Sequence, residues 1–268
     1  MQKLSQTVFL LTTMLMISSF FSCAQNKKVS SEEEKSDLYF SYGTEKLVEK
    51  DYPGALKFLL KAWEYNPKSP QVANNLGLAY FILGDTDSAL KFTQISLKLN
   101  PKDSDAKNNL ASIYFSQGKM EEAKKLYQEL LSDLTYARHF RTHYNLGMIE
   151  LRKGKKQLAL NNLKKSLELN SDFCPAHFEL GMLFKNNRLL KKANEQFSNG
   201  IKGVCYNEPA SHFELALTEI ELKKIDSAYD RLSNITQRFK GHPYAQLAQE
   251  KINEIEKNGY KPIEINKQ

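Results

Sequence analysis

The sequence predicts an all-α solenoid: six helix-turn-helix repeats closed by one further helix. Three observations carry this. First, a small residue is followed twelve positions later by alanine six times. The pairs are Gly43 and Ala55, Gly77 and Ala89, Ala111 and Ala123, Gly147 and Ala159, Gly181 and Ala193, and Ala216 and Ala228. Second, the steps between successive pairs are 34, 34, 36, 34 and 35 residues, and self-similarity at such a period marks a stacked-repeat architecture. Third, the chain has few runs of β-branched residues between its 8 prolines and 12 glycines, which argues against an all-β fold.

Residues 1–22 form a leader. Behind Lys3 runs TVFLLTTMLMISSFFS, an apolar stretch diluted by Thr12, Thr13, Ser18 and Ser19. It is shorter and more polar than a spanning helix needs, and it has the layout of a secretory signal peptide. Ser22 stands before Cys23. This junction resembles a bacterial lipobox, which implies cleavage before Cys23 and a diacylglyceryl group on its sulfur. Phe20 and Phe21 depart from the lipobox pattern, so plain secretion and an uncleaved anchor stay open. Ala24 follows the cysteine, and the resemblance then implies the outer membrane. Residues 23–35 are polar and mixed in charge, and read as a flexible tether.

Six repeats follow at 36–69, 70–103, 104–137, 140–173, 174–207 and 209–242. Two antiparallel helices that pack closely need small side chains on their facing ridges, which is what the Gly/Ala pairs supply. Leu76, Leu110, Leu146, Leu180 and Leu215 precede the small position, and Tyr80, Tyr114 and Phe184 lie three after it on the same helical face. Pro67 and Pro101 stop the second helix. Pro243 opens a last helix with Tyr244, Ala248, Ile252 and Ile255 on one stripe. It covers the open end of the array, as terminal repeats require. Residues 36–257 are thus one domain, and 258–268 a loose tail.

These residues carry a resemblance to tetratricopeptide repeats (TPR), whose pattern sets Gly/Ala, an aromatic, Ala and Pro at fixed positions. The resemblance implies a right-handed TPR superhelix. Lys46, Glu150 and Glu219 stand where the pattern has an aromatic, and Thr135, Ser171 and Cys205 where it has proline. These departures are expected to weaken single repeats. The TPR pattern also implies a concave partner-binding groove on the first helix of each repeat: Phe40, Leu47, Asn74, Leu78, Phe81, Asn108, Phe115, Tyr144 and Met148. Such an apolar strip suits a partner's amphipathic helix. Asn75 and Asn109 match asparagines of the TPR carboxylate clamp. Phe40, Thr44 and Asp105 depart from the rest of the clamp, and no clamp is expected.

The net charge of +7 comes from lysines and arginines scattered at helical spacing, which reads as solvated helix faces. Nucleic acid is not an expected partner of an exported chain. No P-loop, dinucleotide fingerprint or nucleophile elbow occurs, so no enzyme, cofactor or small-molecule substrate is expected. His139 and His143 stand four apart without a third ligand, and no metal is expected. Cys174 opens the fifth repeat and Cys205 follows its second helix. Antiparallel packing brings those ends together, so in an oxidising compartment a disulfide is favoured, with two free thiols as the alternative.

A lipobox-like cysteine, six TPR units and little else resemble the type IV pilus secretin pilotin family. The stretch SDLTYARHFRTHYNLGM agrees, with Asp133, Tyr136 and Arg141 at a junction that holds the two-residue expansion. The segment KSLELN at 165–170 agrees as well. The resemblance implies an outer-membrane lipoprotein facing the periplasm that binds a secretin subunit during pilus assembly. The alternative is a TPR adaptor that scaffolds peptidoglycan hydrolases or synthases.

Overall fold

The computed structural model describes residues 31–261, which contain thirteen α-helices. They pair as α1 (Ser31–Val48) with α2 (Tyr52–Tyr65), α3 (Pro70–Ile82) with α4 (Thr86–Leu99), and α5 (Ser104–Ser116) with α6 (Met120–Leu131). Next come α7 (His139–Arg152) with α8 (Lys156–Leu169), α9 (Cys174–Asn186) with α10 (Leu190–Asn199), and α11 (Pro209–Glu221) with α12 (Ile225–Arg238). Helix α13 (Pro243–Lys257) closes the series against α12 and α11.

The predicted small positions do what their spacing demands. Ala55, Ala89, Ala123, Ala159, Ala193 and Ala228 have no exposed surface. A Cβ placed on Gly77 would meet the Ala89 carbonyl and the Thr93 side chain, and one on Gly147 would meet Leu163. Each second helix therefore lies directly on the small residue of the first. Side-chain caps start several helices: Asp51, Asp85 and Asp103 each accept a backbone N–H at 3.0 Å, from Gly54, Ser88 and Ala106. The turn between the paired helices needs one left-handed residue in every repeat. Gly84, Gly118 and Gly154 supply it in the middle, while Lys50, Arg188 and Lys223 adopt φ of 63°, 59° and 61° at the matching places.

Two boundaries differ from the sequence reading. Helix α1 begins at Ser31, so residues 31–35 of the expected tether are helical. Glu32, Glu33 and Glu34 fill its first turn, where carboxylates favour the positive helix end. Buried Ser36 donates to the Ala62 carbonyl at 2.9 Å and ties this end down. At the other end, Tyr260 of the expected loose tail packs on the α12–α13 core and donates to Asp226 at 2.6 Å.

First helices of neighbouring repeats touch: α1 meets α3, α3 meets α5, and α5 meets α7. Neighbouring second helices make no comparable contact among the described residues. The first helices therefore line the inner, concave side. The array curls far enough that Lys50, in the first repeat, lies 3.3 Å from Glu208 at the start of the sixth.

Candidate functional site: the inner face of the repeats

Amide side chains stitch the inner face together. Asn75 donates to Thr44 at 3.2 Å, Asn109 to Asn74 at 2.8 Å, and Asn145 to Asn108 at 3.4 Å. Each bond links the first helices of consecutive repeats, from the first to the fourth. Asn74 and Asn108, expected to face a partner, are each only 8 % exposed. Their carbonyls accept from the next repeat, so these amides set the stacking of the array. Asn75 and Asn109 are engaged in the same ladder.

The expected apolar strip divides in two. Phe40 and Leu47 pack onto the core shared by the first two repeats. Leu78 and Phe81 are half-buried and belong to none of the described core clusters. Ile82, 42 % exposed, and Val48, 80 % exposed, carry apolar surface into solvent beside them. Phe115 is covered from the next repeat: the Arg152 guanidinium lies 4.0 Å from its ring centre and donates to its carbonyl at 3.1 Å. Met148 is half-buried. Tyr144 packs edge-on against Phe173, with ring centres 5.4 Å apart, and burial pushes its hydroxyl up to about 12.

Tyr144 also lines a cavity of about 280 Å³ that runs across the N-terminal ends of α9 and α11. Its other walls are Phe178, Glu179, Glu208, Ala210 and the Cys174 end of a disulfide. Cys174 and Cys205 are bonded, with Cα atoms 5.4 Å apart. The bridge pins the short 3₁₀ turn at Gly203–Asn207 beneath α9. Where the first two repeats turn at proline, this repeat turns at a crosslink.

The junction before the fourth repeat is held by Asp133 and Arg138. Hydrogen bonds from Ser104 and Thr135 hold the Asp133 carboxyl down at about 2. Arg138 pairs with Asp105, while Arg141 stays exposed. Tyr136 is buried in the adjoining core.

The histidines serve the chain itself. His139 lies 3.0 Å from the Asp133 carbonyl, and His143 lies 3.2 Å from the Asn162 side chain. No group of three metal-ligating side chains occurs among the described residues. His177 and His212 repeat the His139 contact, each reaching a carbonyl six residues earlier, Ser171 and Tyr206, at 2.9 Å. Sequence reasoning missed this device. Its one signal is a histidine near the start of α7, α9 and α11.

Burial holds the His212 imidazole below its ordinary value, and Arg231 and Arg238 act the same way. Below pH ~6.5 the unfolded chain takes up a proton that folded His212 resists, so its contribution to stability falls with acidification. His212→Gln is therefore expected to lose less thermal midpoint than the parent between pH 7.5 and pH 5.5. Equal losses would sink this assignment.

Leader residues 1–22 and Cys23 lie outside the described residues. Among the described helices none is long and apolar enough to cross a membrane.

Comparison with known proteins fits this geometry. Models of the tetratricopeptide repeat match residues 70–103 and 103–172. No curated protein matches the sequence. Among solved structures, the chain resembles PilF of Pseudomonas aeruginosa, with a TM-score of 0.61 and 21 % identity, over 83 % of this chain and 100 % of that one. It also resembles PilW, a type IV pilus biogenesis factor, with a TM-score of 0.63 and 20 % identity, over 80 % of this chain and 98 % of that one. Cut9 in the APC/C Cut9–Hcn1 hetero-tetramer gives a TM-score of 0.65 and 17 % identity, over 85 % of this chain but 44 % of that one. At these identities the likeness establishes the fold, a TPR solenoid.

Proposed function

We propose that this TPR solenoid is an outer-membrane lipoprotein that binds a type IV pilus secretin subunit and assists assembly of the secretin ring, as a pilotin does. The observation that carries the reading is one of extent. The likeness takes in 100 % of the PilF chain and 98 % of the PilW chain. The match to Cut9, with the higher TM-score, takes in less than half of that protein. Fold likeness alone does not separate the three, and the difference in extent supports the pilus reading. The lipobox-like Ser22–Cys23 junction and the lengthened step after the third repeat support the same reading.

No covalent chemistry is needed. Cys23 carries the lipid, and residues 24–30 join it to α1. The partner segment seats on Leu78, Phe81, Ile82 and Val48, the apolar surface of the first two repeats that no core cluster claims. Burying that surface supplies the affinity, at roughly 25 cal/mol per Å² of apolar area before the costs of association.

The test is an affinity capture from detergent-solubilised envelope, with mass spectrometry of the captured proteins and of the N-terminal peptide. Secretin together with diacylated Cys23 is the expected result. Cell-wall hydrolases without secretin would overturn the reading in favour of an adaptor. A double variant, Leu78→Ala with Phe81→Ala, is expected to keep its helix content yet lose secretin capture and ring formation. Normal rings in that variant would exclude this groove.

A further inference from the structure

We infer that the cavity between the fourth and sixth repeats receives a basic side chain, arginine above all, from the protein segment seated on the concave face. The inference rests on the protein-binding reading of that face and adds the chemistry of one contact. It concerns residues of the fourth to sixth repeats, none of them in the Leu78–Phe81 strip.

Three observations point to a cation. Glu179 projects into the cavity and makes no hydrogen bond or ion pair among the described residues. At the matching position of the sixth repeat, Glu214 is paired with Lys185, and the buried Glu150 is paired with Lys124. A half-buried carboxylate without a partner costs the fold stability, because burial removes water and nothing replaces it. Burial alone raises its proton affinity, with no opposing charge.

Second, the cavity carries negative charge in a chain of net charge +7. Glu208 sits on the same wall. Its carboxylate already holds an ammonium group, that of Lys50 at 3.3 Å, brought from the far end of the array. One carboxylate of the cavity therefore already takes a cation from a distant segment, and Glu179 is left without one.

Third, the walls are aromatic. Tyr144 and Phe178 flank the carboxylate. A planar guanidinium stacks on such rings and forks onto a carboxylate, which an ammonium does less well. An apolar side chain placed there would seal Glu179 away from water unpaired. Cys174 is committed to its disulfide and offers neither a nucleophile nor a metal ligand.

The test uses the full chain with 13C-methyl-labelled alanine. Ala210 lines the cavity and reports on it, and Ala89, in the second repeat, serves as the remote reference. The probes are N-acetyl-arginine N-methylamide and its uncharged citrulline counterpart. The arginine probe is expected to shift Ala210 saturably and leave Ala89 unchanged, while citrulline at equal concentration shifts neither. Glu179→Gln is expected to weaken arginine binding about tenfold, the worth of a charged hydrogen bond. That variant should melt no lower than the parent, which separates lost binding from lost folding. Equal shifts from citrulline, or undiminished binding by Glu179→Gln, would overturn the inference. Because the probe needs no secretin, the two readings fail separately. Arginine binding without secretin capture removes only the pilus role, and secretin capture without arginine binding removes only the cavity.

Discussion

Arg231→Met is expected to destabilise the last repeat by about 3–5 kcal/mol, the usual penalty for stripping the partner from a buried charge. Glu219 on α11 is 5 % exposed. Arg231 on α12 grips it with both ends of the guanidinium, each bond 2.9 Å, and Ser227 adds a third at 2.9 Å. Without the arginine, a carboxylate is left inside with one hydroxyl. Solenoids unravel locally, since each repeat leans only on its neighbours. Amide exchange should therefore rise across α11–α13 and stay unchanged in α3–α6. The rescue is the sharper half of the prediction. Glu219 occupies the place of Tyr80, Tyr114 and Phe184 in other repeats. Arg231→Met combined with Glu219→Phe replaces the ion pair by the packing those repeats use, and should recover most of the loss. A double variant as unstable as the single one would show that the pair is not what joins α11 to α12.

That pair also shows where sequence reading stops. Lys46, Glu150 and Glu219, expected to weaken their repeats, each have a charged partner. Glu150 is 3 % exposed and receives Lys124 of the preceding repeat at 2.7 Å. Glu219 has Arg231, and Lys46 pairs with Glu49 at 2.6 Å. Each departure from the pattern is answered by a residue elsewhere, and a repeat alignment compares equivalent positions, never facing ones. The repeat itself was legible because close helix packing is a local demand: a small residue and an alanine twelve apart must face each other in any such hairpin. The inner face was legible only in part. Leu78 and Phe81 are half-buried outside the described core clusters, while Asn74, Asn108 and Phe115 are claimed by Asn109, Asn145 and Arg152. Those partners lie about one repeat away, and only the stacking geometry decides that they meet. Glu179 was passed over for a related reason. One glutamate on a helix carries no signal until its surroundings prove to lack a partner.

Close packing at the small positions leads to the second large effect. Gly181→Ala is expected to destabilise the fifth repeat by about 1–3 kcal/mol through overpacking, although alanine is worth about 1 kcal/mol over glycine in a helix interior. The new Cβ would lie 2.5 Å from Phe197 Cε1, 2.7 Å from Cδ1 and 2.8 Å from Cζ. Phe197 is fully buried, and its ring is braced by Phe178 at 6.0 Å, so it has no direction in which to yield. Gly147→Ala is the contrast. There the nearest atoms are Leu163 Cγ and Cδ2 at 3.1 and 3.2 Å, and a leucine can settle by a few tenths of an ångström. That substitution should come out within about 1 kcal/mol of neutral, propensity offsetting the squeeze. Urea midpoints of the two variants test the difference, and Gly181→Ala combined with Phe197→Leu should restore much of the loss by giving the methyl group room. Phe178 lines the Glu179 cavity, so a displaced Phe197 should also blunt the Ala210 response to the arginine probe. If Gly181→Ala were as stable as Gly147→Ala, close contact at the small position would not be what limits the fifth repeat.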